Sequence, residues 1–311
     1  MQCKIVILDG IFANPGDLSW DNLKTYGELY VYENTSKEQI IERCKDAQIV
    51  ITNKVGFGEP EIAKLPKLKL IALAATGMDH IDLQAAKSRG IEVKNAVGYS
   101  TNSVAQHVLA LLLALENKVG KHNQSVQSSL WDQSKGFHYT ISRVTELAGK
   151  KIGIYGFGKI GQRVAELAKA FQMQIMIVSS HADPEEYEEY QFVSLKELFI
   201  ECDVISLHAP LKKDNHGIIN EDLFNQMKPW ALLINTARGG LINEQDLAIA
   251  IKNGRLRGAG LDVLSEEPPS SDHPLIGLEN CLVTPHMAWA SFEARKELIS
   301  QIEEHIRKFV G

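Results

Sequence analysis

The sequence lacks the cysteine patterns that indicate a metal site or a disulfide framework. Only four cysteines occur in 311 residues, and no two of them form a CxxC pair. Isolated thiols are typical of proteins in reducing compartments, where disulfides rarely persist. We therefore expect reduced thiols, no bound metal and a cytoplasmic location. The four cysteines are Cys3, Cys44, Cys202 and Cys281.

Long apolar runs, a leader segment and an excess of positive charge are missing as well. The longest apolar run, at 108–115, is far shorter than the roughly 20 residues that span a bilayer. The opening MQCKIVILDG lacks the charged and apolar segments of a secretion signal. The formal net charge is −6, so no basic field attracts nucleic acid or an anionic membrane. We expect neither as a partner, and an anionic substrate needs a local positive charge inside its site.

The sequence does contain an alternation of strand and helix patterns that predicts two α/β domains. A chain of 311 residues exceeds the roughly 250–300 that a single core serves. Apolar β-like runs alternate with amphipathic stretches before residue 98, and a second such series starts at Lys151. This alternation is typical of doubly wound parallel sheets with helices on both faces. We expect a smaller flavodoxin-like substrate domain at 1–98 and 288–311, a Rossmann dinucleotide domain at 99–287, and an active site in the cleft between them.

One long stretch between the two series, 101–119, is apolar on nearly every face of a helix over 108–115. Asn102 or Ser103 can cap this helix at its N-terminus. A helix that is apolar all round must be buried, either between domains or between subunits. We interpret it as the crossing into the second domain. Because the helix needs cover, we expect a homodimer.

A glycine-rich turn follows the first strand of the second series. Gly156, Gly158 and Gly161 form the pattern GxGxxG between an apolar strand and an amphipathic helix. The pattern alone is weak, but this strand–turn–helix context is the dinucleotide-binding fingerprint. The glycines permit a tight turn, a close approach of pyrophosphate and close helix packing, and the helix N-terminus favours phosphate. Lys159 and Ile160 complete the predicted cofactor-binding segment.

The acidic residue that usually accompanies this fingerprint is missing. About 20 residues further on, an acid normally accepts hydrogen bonds from the ribose hydroxyls, and Ser179 stands at that position. A carboxylate would repel a 2′-phosphate, so its absence removes one barrier to NADP. Yet no Arg or Lys lies between Ile175 and Tyr190. The sequence therefore leaves both NAD(H) and NADP(H) open as cofactors.

Three later segments, each at or just after a strand end, supply one candidate catalytic side chain each: Arg238, Glu267 and His286. The carboxyl ends of strands are where open α/β sheets build sites. Histidine can donate a proton to a developing oxyanion near neutral pH. A glutamate on its far ring nitrogen would orient the ring and stabilise its positive charge, and an arginine fork can bind a carboxylate. Taken singly, each residue is more often explained by a surface ion pair, an exposed loop or a turn cap than by a catalytic role.

Taken together and in order, these segments resemble the D-isomer-specific 2-hydroxyacid dehydrogenase family. The segments are ATGMDHID, NAVGYSTNSVAQH, GFGKIG, SLHAPL, NTARGG, GLDVLSEEPP and TPHMAWAS. TNKV, DVLSEEPP and HMAWAS are closest to the glycerate dehydrogenase (hydroxypyruvate reductase) subgroup. The resemblance implies an oxidoreductase that moves a hydride between NAD(P)H and a small 2-keto or 2-hydroxy acid, such as hydroxypyruvate or glyoxylate. It also implies that Arg238, Glu267 and His286 are catalytic.

Further residues are predicted to line the two ligands. The loop Ala75, Thr76 and Gly77 follows a strand of the first domain, and its N–H groups can hold a substrate carboxylate. Asn53, after an earlier strand, is predicted on the substrate side of the cleft, although a solvated loop explains it equally well. Trp289, near His286, is predicted either to wall the substrate side of the cleft or to pack at a subunit contact. Thr76 is also predicted to contact the dinucleotide. The resemblance implies further dinucleotide contacts at His208, Ala209, Pro210, Thr236, Ala237 and Asp262.

Two kinds of alternative function remain open from the sequence. Within the same reaction class, the substrate can be D-lactate or 3-phosphoglycerate. In another class, the chain is a dinucleotide-sensing binding protein on the same scaffold. The complete set of Arg238, Glu267 and His286 argues against the sensor, because binding alone does not need a proton donor.

Overall fold

The structure is a computed structural model that describes residues 3–134 and 136–311. Twelve strands are described. They are β1 Lys4–Ile7, β2 Glu28–Val31, β3 Ile49–Thr52, β4 Leu70–Leu73, β5 Glu92–Asn95, β6 Lys151–Tyr155, β7 Gln174–Val178, β8 Gln191–Phe192, β9 Val204–Leu207, β10 Leu232–Asn235, β11 Gly258–Leu261 and β12 Cys281–Val283.

Twelve α-helices and four short 3₁₀ helices connect these strands in the described part of the chain. The α-helices are α1 Gly10–Ala13, α2 Ile40–Cys44, α3 Glu59–Ala63, α4 Leu83–Ser88, α5 Thr101–Asn117, α6 Val119–Gln127, α7 Leu130–Gln133, α8 Lys159–Ala170, α9 Leu195–Glu201, α10 Glu221–Phe224, α11 Glu244–Lys252 and α12 Phe292–Val310. The 3₁₀ helices are Asp21–Thr25, Lys37–Gln39, Pro184–Glu186 and Gly239–Leu241. None of the described helices is both long enough and apolar enough to traverse a bilayer.

The chain divides into two compact units, and each contains its own parallel sheet. Unit 1 consists of Met1–Ser100 with Trp289–Gly311, and unit 2 consists of Thr101–Ala288. The prediction of two doubly wound parallel-sheet domains is confirmed. The role of each unit, substrate or dinucleotide binding, is taken up below.

Unit 1 has a five-stranded sheet in the order β2-β1-β3-β4-β5, and every pairing is parallel. This is the order of flavodoxin-like sheets. The strands β3 and β4 are short apolar runs in which every residue is buried. The C-terminal helix α12 covers one face, because Leu298, Ile302 and Ile306 recur every fourth residue on one side and pack into the core. The end of the chain therefore folds back onto the unit in which it began.

Unit 2 has a seven-stranded parallel sheet in the order β12-β11-β10-β9-β6-β7-β8. Read from the other edge, its first six strands follow the Rossmann order, with the reversal of direction between β6 and β9. A hydrophobic cluster covers each face. The site thus has a rigid support, because both faces of the sheet are packed.

Helix α5 is the apolar stretch that the sequence predicts at 101–119. Its Leu111, Leu112 and Leu115 are buried against α8 and the strands β10 and β11. Gly260 of β11 lets the helix lie close, since a Cβ there would come within 3.0 Å of the Leu111 Cβ. We expected the cover to come from another domain or subunit, and this expectation is wrong. Unit 2 itself buries most of these apolar side chains, and within 108–115 only Ala110 and Ala114 are exposed. The burial of α5 therefore does not by itself require a dimer.

Candidate active site

The parallel register of unit 2 brings the ends of five strands into one row. Tyr155 of β6 pairs with Leu207 of β9, which pairs with Asn235 of β10. Asn235 pairs in turn with Leu261 of β11, which pairs with Val283 of β12. The loops that follow these five strands therefore all begin at the same edge of the sheet. The residues that follow the row are Gly156, His208, Thr236, Asp262 and Thr284.

In the glycine turn between β6 and α8, a Cβ added at two of the glycines would collide with neighbouring atoms, whereas a Cβ added at the third would not. Gly156 has a φ of +97°, and a Cβ there would lie 2.4 Å from the Ala209 nitrogen. A Cβ on Gly161 would lie 2.3 Å from the Gly156 oxygen. By contrast, apart from Gly158 and its chain neighbours, no atom of the described residues lies within 4 Å of a Cβ added to Gly158. The turn thus leaves free space directly before α8.

This free space fits a dinucleotide phosphate. Gly158 is the N-cap of α8, and no side chain in the described part of the chain caps the first amides of the helix. Uncapped N–H groups and the positive end of the helix dipole attract an anion. Lys159 and Ile160 are the first residues of α8. The sequence predicts all of these residues as one cofactor-binding segment.

The loops after β9 and β10 line the same edge of the sheet. Ser206 Oγ lies 2.8 Å from His208 Nε2, and burial lowers the pKa of His208 to about 3, so the ring is neutral at neutral pH. Ala237 N donates to Asn235 Oδ1 at 3.0 Å. The buried Thr236 hydroxyl has no hydrogen-bond partner among the described residues. An unsatisfied buried hydroxyl at this edge fits a polar ligand.

Ser179 follows β7 at the position where an acid was expected. Its Oγ accepts from His181 N at 3.2 Å and from Ala182 N at 3.1 Å, which closes a tight turn. A serine oxygen used in this way still has its own proton to donate. The turn therefore offers a neutral donor where a carboxylate would have offered negative charge.

Glu267 and His286 form a direct pair. His286 Nδ1 lies 2.6 Å from Glu267 Oε2, and both side chains are partly exposed. The other carboxylate oxygen, Oε1, accepts from Leu264 N at 3.0 Å. Glu267 is thus fixed by its own loop and in turn fixes the imidazole. With Nδ1 engaged, Nε2 is the ring nitrogen that can exchange a proton with a ligand.

His286 has a left-handed backbone, with a φ of +51°. This conformation is unusual for a residue other than glycine and costs of the order of 1–3 kcal/mol. Asp262, which is buried, holds the chain there. Its Oδ1 accepts from Met287 N at 2.9 Å and its Oδ2 from Ala288 N at 2.8 Å. The predicted contact of Asp262 with the dinucleotide stays a prediction, but both of its oxygens already bind the backbone after His286.

Arg238 follows β10 and lies on a loop that contacts the Glu267 loop. A Cβ added to Gly239 would lie 1.9 Å from the backbone carbon of Leu264, the residue whose amide binds Glu267. Arg238 Nη1 donates to Ala237 O at 2.8 Å. The loops that carry all three candidate catalytic residues therefore leave neighbouring strands at one edge of the sheet.

The predicted substrate residues of unit 1 lie after β3 and β4. Thr76 Oγ1 donates to Ala96 O at 2.8 Å, and Ala75 O accepts from Ala96 N at 3.1 Å, which holds this loop beside the end of β5. Asn53 is buried, and its side-chain amide donates to Ala74 O. Its side chain therefore supports the 75–77 loop. Trp289 packs edge-on against Tyr99, with ring centroids 6.3 Å apart, on the unit 1 core.

A doubly wound sheet, an open glycine turn before a helix, and a glutamate–histidine pair on the same edge together define the class of dinucleotide-dependent dehydrogenases. Comparison with known proteins narrows the class. The family model for the D-isomer specific 2-hydroxyacid dehydrogenase, NAD binding domain, matches residues 109–288. The chain belongs to the D-isomer-specific 2-hydroxyacid dehydrogenase family. The family indicated by the sequence motifs is thereby confirmed, and with it a nicotinamide dinucleotide as cofactor.

Individual relatives match over nearly the whole chain. A hydroxypyruvate reductase of Blautia hydrogenotrophica is 40% identical over 311 residues, which cover 99% of this chain and 97% of the relative. A glycerate dehydrogenase of Methylorubrum extorquens is 39% identical over 314 residues, covering 100% and 97%. Among solved structures, an acyclic imino acid reductase in complex with NADPH and D-Arg superposes with a TM-score of 0.86. It is 36% identical, and the match covers 98% of this chain and 96% of that one.

The contrast between Gly158 and Gly161 predicts two different effects of one added methyl group. Gly158→Ala should keep normal stability and weaken NADH binding, because its Cβ enters the space before α8. Gly161→Ala should lower the free energy of unfolding by about 1–3 kcal/mol, because its Cβ meets backbone. Urea unfolding and NADH fluorescence titration measure the two quantities. Gly120→Ala, another open position on a helix, is the control. Wild-type NADH affinity in Gly158→Ala would show that no phosphate approaches here.

Proposed function

We propose that this chain uses a reduced nicotinamide dinucleotide to reduce hydroxypyruvate and glyoxylate to D-glycerate and glycolate. The observation that carries the proposal is the 2.6 Å pair of Glu267 and His286 at the carboxyl edge of the sheet that carries the glycine turn. The full-length relatives named hydroxypyruvate reductase and glycerate dehydrogenase support this substrate class. We propose unit 2 as the dinucleotide domain and unit 1 as the substrate domain.

His286 is the proton donor in this proposal. When bound, the nicotinamide dinucleotide supplies the hydride that adds to the keto carbon. As negative charge develops on the carbonyl oxygen, His286 Nε2 donates its proton to that oxygen. Glu267 holds Nδ1, so the ring stays in one orientation and Nε2 is the nitrogen that meets the substrate. In the reverse direction the neutral ring accepts the proton of the hydroxyl group.

Arg238 binds the substrate carboxylate and polarises the reacting carbonyl. A guanidinium presents a planar fork that matches a carboxylate with two hydrogen bonds. The bond from Nη1 to Ala237 O already restricts the side chain, so less freedom is lost on binding. The amides of Ala75, Thr76 and Gly77 are proposed as a second set of donors to the substrate. Trp289 is proposed to wall the substrate side.

The other functions considered from the sequence are less well supported. Oxidation of D-lactate or 3-phosphoglycerate would use the same residues, but the two full-length relatives above carry other names. A dinucleotide sensor needs the glycine turn but has no use for an imidazole fixed by a carboxylate. The presence of that pair therefore favours catalysis.

The first test is activity with a panel of 2-keto acids. Purified protein should oxidise NADH or NADPH with hydroxypyruvate and glyoxylate faster than with pyruvate. His286→Ala should lower kcat by about 10²–10⁴-fold without a matching loss of NADH affinity. His305→Gln, a change at another partly buried histidine, should leave kcat unchanged. Nucleotide binding without turnover of any 2-keto acid would contradict the proposal and favour the sensor.

Cofactor preference is proposed to depend on Ser179. We propose that the neutral turn at Ser179 accepts both NADH and NADPH. Ser179→Asp should shift the preference towards NADH, because its carboxylate would repel a 2′-phosphate. Ser179→Ala removes the serine oxygen that closes the turn and adds no charge. Comparing the two variants therefore separates the effect of the negative charge from the effect of losing this oxygen. The ratio of kcat/KM for NADPH to that for NADH is the measurement, and an unchanged ratio in Ser179→Asp would show that the ribose lies elsewhere.

A homodimer is proposed, on a surface other than α5. Exposed apolar side chains concentrate in the segment after α5. We call this the apolar segment, and its described residues are 119–134 and 136–144. An exposed apolar surface of this kind usually marks an interface, and identical subunits most often pair with twofold symmetry. The side chains are Val119, Val126, Leu130, Trp131, Phe137, Ile141 and Val144.

Sedimentation velocity tests the dimer. Wild-type protein should sediment as a dimer, and the double variant Trp131→Glu with Phe137→Glu should sediment as a monomer, because two charges would be buried in the interface. Ile249→Glu changes a similarly exposed apolar side chain on α11 and should remain dimeric. A monomeric wild type, or a double variant that stays dimeric, would contradict the proposal.

A further inference from the structure

The hydroxyl group of Thr284 joins the His286 loop to helix α5. Thr284 Oγ1 lies 2.6 Å from Asp262 Oδ1 and 2.9 Å from His107 Nε2. A carboxylate oxygen only accepts, so the single hydroxyl proton is donated to Asp262. The hydroxyl oxygen must then accept from His107, whose Nε2 carries a proton. A directed chain of hydrogen bonds therefore runs from His107 through Thr284 to Asp262.

Helix α5 holds the His286 loop at a second point. Ser103 Oγ donates to Ala288 O at 2.6 Å. Ser103 and His107 are four residues apart, so they share one face of α5. Further along the helix, buried leucines fix α5 in the unit 2 core. Through these two side chains, α5 binds both ends of the segment 284–288, which contains His286.

The backbone of this segment needs such support. His286 has its φ at +51°, and its N donates to Thr284 O at 2.9 Å, which makes a tight bend at the residue. A strained conformation persists only where its surroundings determine it. Asp262 supplies two acceptors for the amides after His286, and Thr284 with His107 fixes the Asp262 carboxylate. The orientation of the imidazole thus depends on residues that do not touch it.

We propose that His107, Thr284 and Ser103 are positioning residues for His286. They act through Asp262 and the 284–288 backbone, and they set the direction in which the imidazole presents Nε2. The inference rests on the proposed role of His286 as proton donor. A merely structural role would predict a loss of stability with turnover unchanged in the folded protein. A positioning role predicts that the protein still folds and that the loss of kcat is larger than any loss of nucleotide affinity.

Matched variants at Thr284 separate these roles. Thr284→Val keeps the shape of the side chain and removes the hydroxyl, and Thr284→Ser keeps the hydroxyl. Thr284→Val should lower kcat with hydroxypyruvate by about 10²-fold, because small displacements of a reacting group are costly. In Thr284→Val, NADH affinity should fall much less than kcat. Thr284→Ser should have most of the wild-type kcat. Equal losses in both variants would overturn the proposal.

A second pair of variants protects the test against misfolding. His107→Phe keeps a ring and removes the donor, and His107→Gln keeps a donor. If Thr284→Val fails to fold, the His107 variants provide the test. His107→Phe should then show the loss of kcat, and His107→Gln should keep most of the wild-type kcat. Wild-type kcat in a folded His107→Phe would overturn the proposal.

The imidazole itself gives a readout that needs neither substrate nor cofactor. In apo protein labelled with ¹⁵N-histidine, the Nδ1 proton of His286, bound to Glu267, should give a downfield resonance that is absent from His286→Ala. Thr284→Val should shift or broaden this resonance, and Thr284→Ser should preserve it. If His286→Ala keeps full activity, the proposed function fails. If His286→Ala is inactive while Thr284→Val keeps both kcat and the resonance, only the positioning inference fails.

Discussion

The parallel register of the unit 2 sheet is the constraint on which the site depends. Because Tyr155, Leu207, Asn235, Leu261 and Val283 pair in one row, five loops start side by side. An antiparallel strand in this row would send its loop to the opposite edge. Loops that are widely separated in the sequence therefore contribute to one surface. The residues of the site are brought together by the sheet and do not have to be close in the sequence.

Local signals in the sequence were sufficient for the fold and for part of the site. Apolar runs alternating with amphipathic stretches predicted two parallel sheets, because each element shows its own periodicity. The glycine turn was predictable for the same reason, since strand, turn and helix are consecutive. Glu267 and His286 could be proposed as partners from their residue types and from the family resemblance. Their contact is confirmed at 2.6 Å, whereas their roles stay predictions.

Non-local contacts were beyond the sequence. The apolar faces of α5 predicted burial but not the surface that buries them, and we assigned that surface wrongly. The bond between His107 and Thr284 joins residues 177 positions apart, so no periodicity indicates it. The bond from the Asn53 side-chain amide to Ala74 O was not indicated by the sequence either, and the predicted place of Asn53 on the substrate side stays a prediction. Each of these depends on how elements pack, and packing is decided by the whole chain.

Charge explains why the proposed proton donor is an imidazole backed by a carboxylate. The chain carries a net charge of −6, and a 2-keto acid is an anion, so a carboxylic acid facing the substrate would repel it once ionised. Glu267 lies on the Nδ1 side of His286, so the ring separates its negative charge from whatever approaches Nε2. Arg238 and the N-terminus of α8 add positive potential at the same edge. In this proposal the site attracts an anion within an acidic protein, because the Glu267 carboxylate lies behind the imidazole that would face the ligand.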